Sequence, residues 1–254
     1  MIRLVRQLIL VLLLLFGVNG LVEAQVGHAS APKTAQPLTA NSQLEDVFLE
    51  GDRLASLLSD LADQYDIPIG LERAMNEYDH PETRIDLNKT TLSELLTQLL
   101  ANHKEYSWEI ADGVVRVFPK DGHRDPIVER LLNVQIGKFS IKKSTAVWNV
   151  ESTFLETPEF KDVVDAYGLG TLGWTFSGFY LPQLGRNYTL DVSGATVQSI
   201  LNRIVKQSPT AKFWSIGRDS SQHTFSINFV ARPEGPPSNP RRMNLKELER
   251  LSYP

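Results

Sequence analysis

The stretch Gly168-Leu169-Gly170-Thr171-Leu172-Gly173 fits the G-x-G-x-x-G pattern of a phosphate-cradling loop, and Asp191 follows 18 residues after it. A dinucleotide site needs a strand ahead of the glycines and a helix behind them, so that the pyrophosphate meets a helix N-terminus. Here the helical pattern Phe160 to Tyr167 comes first and the β-like Trp174-Thr175-Phe176 comes after. The order is inverted, and the stretch reads as a helix C-cap and a loop entering a strand. The histidines, His28, His80, His103, His123 and His223, fall in no H-x-x-x-H or H-E-x-x-H spacing. His80 lies in Asp79-His80-Pro81-Glu82, which reads as a solvated loop, since metal ligands need support from elsewhere in a fold. No G-x-S-x-G, S-x-x-K or Walker sequence is present, so nucleophilic and phosphoryl-transfer chemistry lack their residues. No catalytic, cofactor-binding or metal-binding residue is assigned, and the chain is not read as an enzyme.

Composition narrows the choice further. The 254 residues carry a net charge of −4 and 42% hydrophobic residues, values of a globular chain. The absence of cysteine removes disulfides, zinc ribbons, iron–sulfur clusters and thiol nucleophiles. Lys138, Lys142, Lys143, Arg241 and Arg242 are too dispersed for a nucleic-acid track. Asp60, Asp63 and Asp66 read as a solvated helix face, and Glu45, Asp46, Glu50 and Asp52 as surface charge near a helix start. Trp148, Trp174, Phe179 and Tyr180 make an aromatic-rich region that either packs into a core or lines a partner groove.

The elements that must position such a surface begin after a targeting segment. Met1 to Arg6 holds two arginines and no acid, Leu8 to Val18 is uninterruptedly apolar, and Val22-Glu23-Ala24 resembles a cleavage site. That is the order of a secretory signal peptide over residues 1–24. Its apolar run reaches about 16 Å as a helix, half of a bilayer's hydrocarbon core, so cleavage is expected rather than a retained span. Residues 25–43, rich in Ala, Ser, Thr, Pro and Gln, read as a flexible linker. Residues 232–254 read as a proline-rich tail with a short helix carrying Leu245, Leu248 and Leu251.

Between these ends lies a repeat. Leu54, Leu57, Leu58, Leu61 and Tyr65 form one helical stripe, with Asp52 as its cap, flanked by strands at Val47-Phe48-Leu49 and Ile67 to Leu71. A strand at Arg84 to Leu87 leads to the capping box Thr91-Leu92-Ser93-Glu94 and a second stripe, Leu92, Leu95, Leu96, Leu99 and Leu100. Trp108 to Phe118 closes the unit as a hairpin turning on Asp112-Gly113. A shift of 105 residues places Ile85, Asp86 and Leu87 on Leu190, Asp191 and Val192, and Thr91 on Thr196. The five apolar positions fall on Val197, Ile200, Leu201, Ile204 and Val205. One inserted residue later, Trp108 and Ile110 meet Trp214 and Ile216. Ser199 replaces Glu94, so the second helix keeps its threonine cap and loses the reciprocal bond. The first half of the second copy is longer: a strand at Phe139 and Ile141, a stripe Val147, Val150, Phe154 and Leu155, and an added helical turn from Phe160.

The run Val47-Phe48-Leu49, then Leu54, Leu57, Leu58, Leu61, Ala62, Tyr65 and Pro68, resembles the secretin and TonB short N-terminal domain. So does Arg84-Ile85-Asp86-Leu87 followed by Thr91 to Leu96 and a hairpin. The resemblance covers the first unit and the helix-and-hairpin half of the second. It implies a periplasmic, non-catalytic module that docks regulators of TonB-dependent receptors or helps stack secretin rings. No β-barrel region follows residue 231 in this sequence, so a stand-alone tandem module is the expectation.

The expected fold is α+β: two small βαββαββ-type domains, each a mixed sheet with two helices packed on one face. Domain one covers 44–120, a linker 121–131, and a diverged, decorated domain two 132–231. The expected function is an exported protein–protein interaction module of the bacterial cell envelope, periplasmic or secreted. Its partner is an envelope, secretion or receptor protein, with no nucleic acid, no cofactor and no membrane span after cleavage. The alternative is a structural or accessory subunit of a secretin- or pilus-type secretion assembly, and a small-ligand binder or enzyme ranks below both. Docking is read as strand addition to the edge formed by Phe225, Ser226, Ile227, Asn228 and Phe229, with Trp174, Phe179 and Tyr180 nearby.

Overall fold

The computed structural model describes residues 37–75, 82–171 and 183–232. The signal segment, most of the linker, the region with Trp174, Phe179 and Tyr180, and the tail beyond Arg232 lie outside them. The described residues form six α-helices and mixed sheets.

The first half runs β1 (Gln43–Gly51), α1 (Leu54–Tyr65), β2 (Ile69–Glu72), β3 (Thr83–Thr91), α2 (Leu92–Leu99), β4 (Tyr106–Ala111) and β5 (Val114–Pro119). Helix α2 starts at the expected capping box: the Thr91 hydroxyl accepts from Glu94 N at 3.2 Å, and the Glu94 carboxylate accepts from Thr91 N at 2.9 Å. Helix α1 differs from expectation, because its N-cap is Arg53, which makes no side-chain capping bond. Asp52 sits one residue too early to cap it. The β4–β5 turn is as expected, with Asp112 at φ 55° and Gly113 at φ 76°.

The second half runs α3 (Pro126–Leu132), β6 (Gln135–Ile141), α4 (Asn149–Leu155), α5 (Pro158–Ala166), β7 (Gly170–Thr171), β8 (Leu190–Thr196), α6 (Val197–Gln207), β9 (Ala211–Asp219) and β10 (Thr224–Ala231). Gly168 has the positive φ, 58°, that the cap reading expects, and Gly170–Thr171 within the glycine-rich stretch form β7, while the expected strand with Trp174-Thr175-Phe176 lies outside the described residues. At α6, the Thr196 hydroxyl accepts from Ser199 N at 3.1 Å. Residues 126–131 of the expected linker lie in α3. Asp125 caps that helix, Pro126 supplies a pre-set first position, and Val128, Leu131 and Leu132 are buried.

The strands divide differently from one sheet per half. β1 pairs antiparallel with β3, and β6 with β8, as two-stranded ladders. The remaining six form one sheet in the order β4-β5-β2-β9-β10-β7. Each half gives this sheet a three-stranded block of the same design: an antiparallel hairpin with a third strand parallel to its second arm. The blocks join where β2 pairs parallel with β9, Ile69 to Phe213 through Glu72 to Ile216. The expectation of two small domains with a sheet each is not met, because β2 and β9 join strands of both halves in one six-stranded sheet. Helix α1 contacts β1 of a ladder and also β2 and β9, and α6 contacts β8 as well as β9 and β2.

Two hydrophobic cores result. One holds Leu54, Leu57, Leu58, Leu61, Leu92, Leu95, Leu96 and Leu99 of the first half together with Phe213. The other holds Val197, Ile200, Leu201, Ile204, Val205 and the Phe139, Phe154, Phe160 and Phe225 aromatics, together with Val114. No helix among the described residues is long and apolar enough to cross a membrane.

Candidate functional site

The ends of the six-stranded sheet are the places where backbone donors and acceptors can meet another chain. At one end stands β10 with β7 beyond it. Thr224 and Phe225 pair with Gly170 and Thr171 of β7, so β10 is the last but one strand rather than the outer edge. Two residues on, the Ile227 amide points away from β9 and donates to Glu151 Oε2 at 2.8 Å. Burial holds the Glu151 carboxyl above the usual range, partly offset by that amide. Phe225, Ser226 and Ile227 are buried, while Asn228 and Phe229 are half-buried. Ser226 faces Gly217 across the ladder, and the Arg73 side chain lies over Gly217. The expected edge therefore narrows to the segment from Asn228 onward, where Val230 is 47% exposed.

That segment borders a cleft of about 190 Å³ lined by Asp60 and Asp63 of α1, Thr210, Lys212, Val230 and Arg232. Asp60 and Asp66 are exposed, as a solvated face requires, and Asp63 and Asp66 are in addition tied to the residue that follows β10. The Arg232 guanidinium donates to Asp63 O at 2.8 Å and to Asp66 Oδ1 at 2.6 Å. Lys212 Nζ stands 3.7 Å from Asp66. Desolvation lowers the Lys212 pKa despite Asp66, and raises that of Asp60, with Asp63 adding to the rise. The cleft is an ion-paired closure of the fold, with no set of acid, base and nucleophile converging on one point.

At the other end stands β4, which pairs with β5 alone among the described residues. Its Ser107, Trp108, Ile110 and Ala111 are half-buried and Glu109 is exposed beside Arg116. Sequence reasoning passed over this edge. The signal was present in the match of Trp108 with Trp214, but only the pairing of β2 with β9 gives that match a meaning.

The seam between the blocks is strongly built. Gly70 faces Trp214, and a Cβ on Gly70 would meet the indole at 2.4 Å. The Trp214 indole N–H donates to Asn202 Oδ1 at 3.1 Å. At the end of β2, Glu72 is 2% exposed and accepts two bonds from Arg124, at 2.7 and 2.8 Å. Arg124 also donates to Glu129 at 3.0 Å, and these carboxylates raise its already high pKa. Asp125, 2% exposed, caps α3 with one oxygen and accepts from Arg218 Nε at 2.8 Å with the other. Among the described residues there is no group of three metal-ligating side chains. No protein-family model, no curated protein and no solved structure matches this chain.

Proposed function

We propose that this chain is a non-catalytic, exported protein-binding scaffold of the bacterial cell envelope. In this reading it consists of two fused copies of a module resembling the secretin and TonB short N-terminal domain. One observation carries the proposal: both halves build the same three-stranded block, and the two blocks join edge to edge by parallel strand pairing. A fold that already assembles by adding a strand to an edge has open positions of the same kind at its ends.

The test is photo-crosslinking in the native envelope, with a photoreactive residue at Ile110 on β4 or at Val230 on β10. A discrete crosslinked envelope protein at either position is the expected result. If both positions give only unlinked chain while the protein accumulates folded, the scaffold reading is wrong.

A further inference from the structure

The two outer hairpins offer a direct comparison. β4 and β9 are each the first arm of an antiparallel hairpin, and Trp108 and Ile110 of one match Trp214 and Ile216 of the other. Cross-strand partners agree as well: Trp108 faces Val117 where Trp214 faces Phe229, and Ile110 faces Val115 where Ile216 faces Ile227. On β9 the side away from the hairpin is occupied by β2, running parallel. Ile216 O accepts from Arg73 N at 2.9 Å, so the backbone of Ile216 faces the added strand, and with it, by alternation, that of Trp214.

The same parity holds on β4. Its two-residue turn makes Ala111 and Val114 a hydrogen-bonded closing pair, which turns the backbones of Trp108 and Ile110 outward. Yet no strand stands there among the described residues. Burial shows the difference: Trp214 is 1% exposed beneath β2, and Trp108 at the matching position is only half-buried. What lets β2 approach β9 so closely is Gly70, since any side chain there would collide with the indole.

We propose that the outer edge of β4 takes a parallel strand from a partner protein, of the type aliphatic–glycine–aliphatic, with its glycine opposite Trp108. This rests on the scaffold reading and adds to it the edge, the polarity and the sequence class of the partner strand. A second copy of the chain is the poorer occupant. Among the described residues, the stretch of that type is Ile69-Gly70-Leu71, and it is already held between β5 and β9.

The probe is a blocked, fluorescent peptide Ile-Pro-Ile-Gly-Leu-Glu-Arg, the sequence of residues 67–73, added to the purified full-length chain. Saturable binding by anisotropy is expected, with the glycine-to-valine peptide binding about tenfold or more weakly. In Trp108→Ala the two peptides should bind alike, because the indole that demands glycine is gone. Ile110→Pro, which removes an outward amide that no strand pairs with among the described residues, should abolish binding with the melting transition retained. Equal binding of both peptides to the unaltered chain, or no binding up to millimolar peptide, overturns the proposal. So does self-association that the peptide cannot displace. A partner crosslinked at Ile110 without any glycine preference would refute this inference and leave the scaffold reading intact.

Discussion

Gly70 and Trp214 face each other across the parallel pairing of β2 and β9, and the indole occupies the space a side chain at position 70 would need. This contact lies in the middle of the seam between the two blocks of the sheet. The indole is further fixed by Asn202 on α6, so it cannot swing away without losing a buried hydrogen bond. Gly70→Val is expected to destabilise the fold by about 1–3 kcal/mol through overpacking, read by urea denaturation. In a Trp214→Leu background the added cost of the valine should shrink, and the coupling is the measure of the contact.

Glu72 is a carboxylate taken out of water and held by a bidentate guanidinium from Arg124. Arg124→Ala leaves that charge buried without its partner and should cost about 3–5 kcal/mol. Replacing both residues by Met should recover most of the loss. Equilibrium denaturation of the three variants at neutral pH gives the comparison.

The helix caps separate the two halves. Thr91→Ala and Thr196→Ala should each lower stability by about 1 kcal/mol, and Thr91 by the larger amount, because it also anchors Glu94. The Thr91 backbone amide, followed by its hydroxyl, holds the Glu94 carboxyl below its usual range. A depressed carboxyl adds stability above its unfolded pKa and loses it as pH falls through the folded value. The Glu94→Gln deficit should therefore be present at pH 7 and vanish in strong acid.

Glu151 has the opposite sign. Burial raises its pKa, so the folded chain binds a proton more readily than the unfolded one. Stability from this group is full below the ordinary glutamate range and declines as pH rises through the folded value. Glu151→Gln keeps an oxygen for the Ile227 amide and removes the charge. Its melting temperature should exceed that of the unaltered chain at pH 7, with the gap closing near pH 4.

The hairpin turn, both threonine caps and the four main helical stripes were legible in the sequence because each is a local matter. Thr91 and Glu94 are three residues apart, and Asp112-Gly113 needs only its own flanks. The seam was not legible, since Gly70 meets Trp214 through a pairing that local patterns do not encode. The burial of the 225–227 edge was hidden for the same reason: its cover comes from Glu151 and β7. Helix α3 carried a readable Asp125-Pro126 start, but its seven residues are too few for a periodic signal to emerge.

The two cores trade one residue each. Phe213, from the second half, sits among the first-half leucines, and Val114, from the first half, sits among the second-half aromatics. Each half thus carries a plug for the other's interior and lacks one of its own. Cut apart, either piece would bare an apolar side chain and leave a hole of matching size. The halves should accordingly melt together in one transition rather than in sequence. The matching patterns of the two halves do not make them separable objects: cooperativity here belongs to the pair.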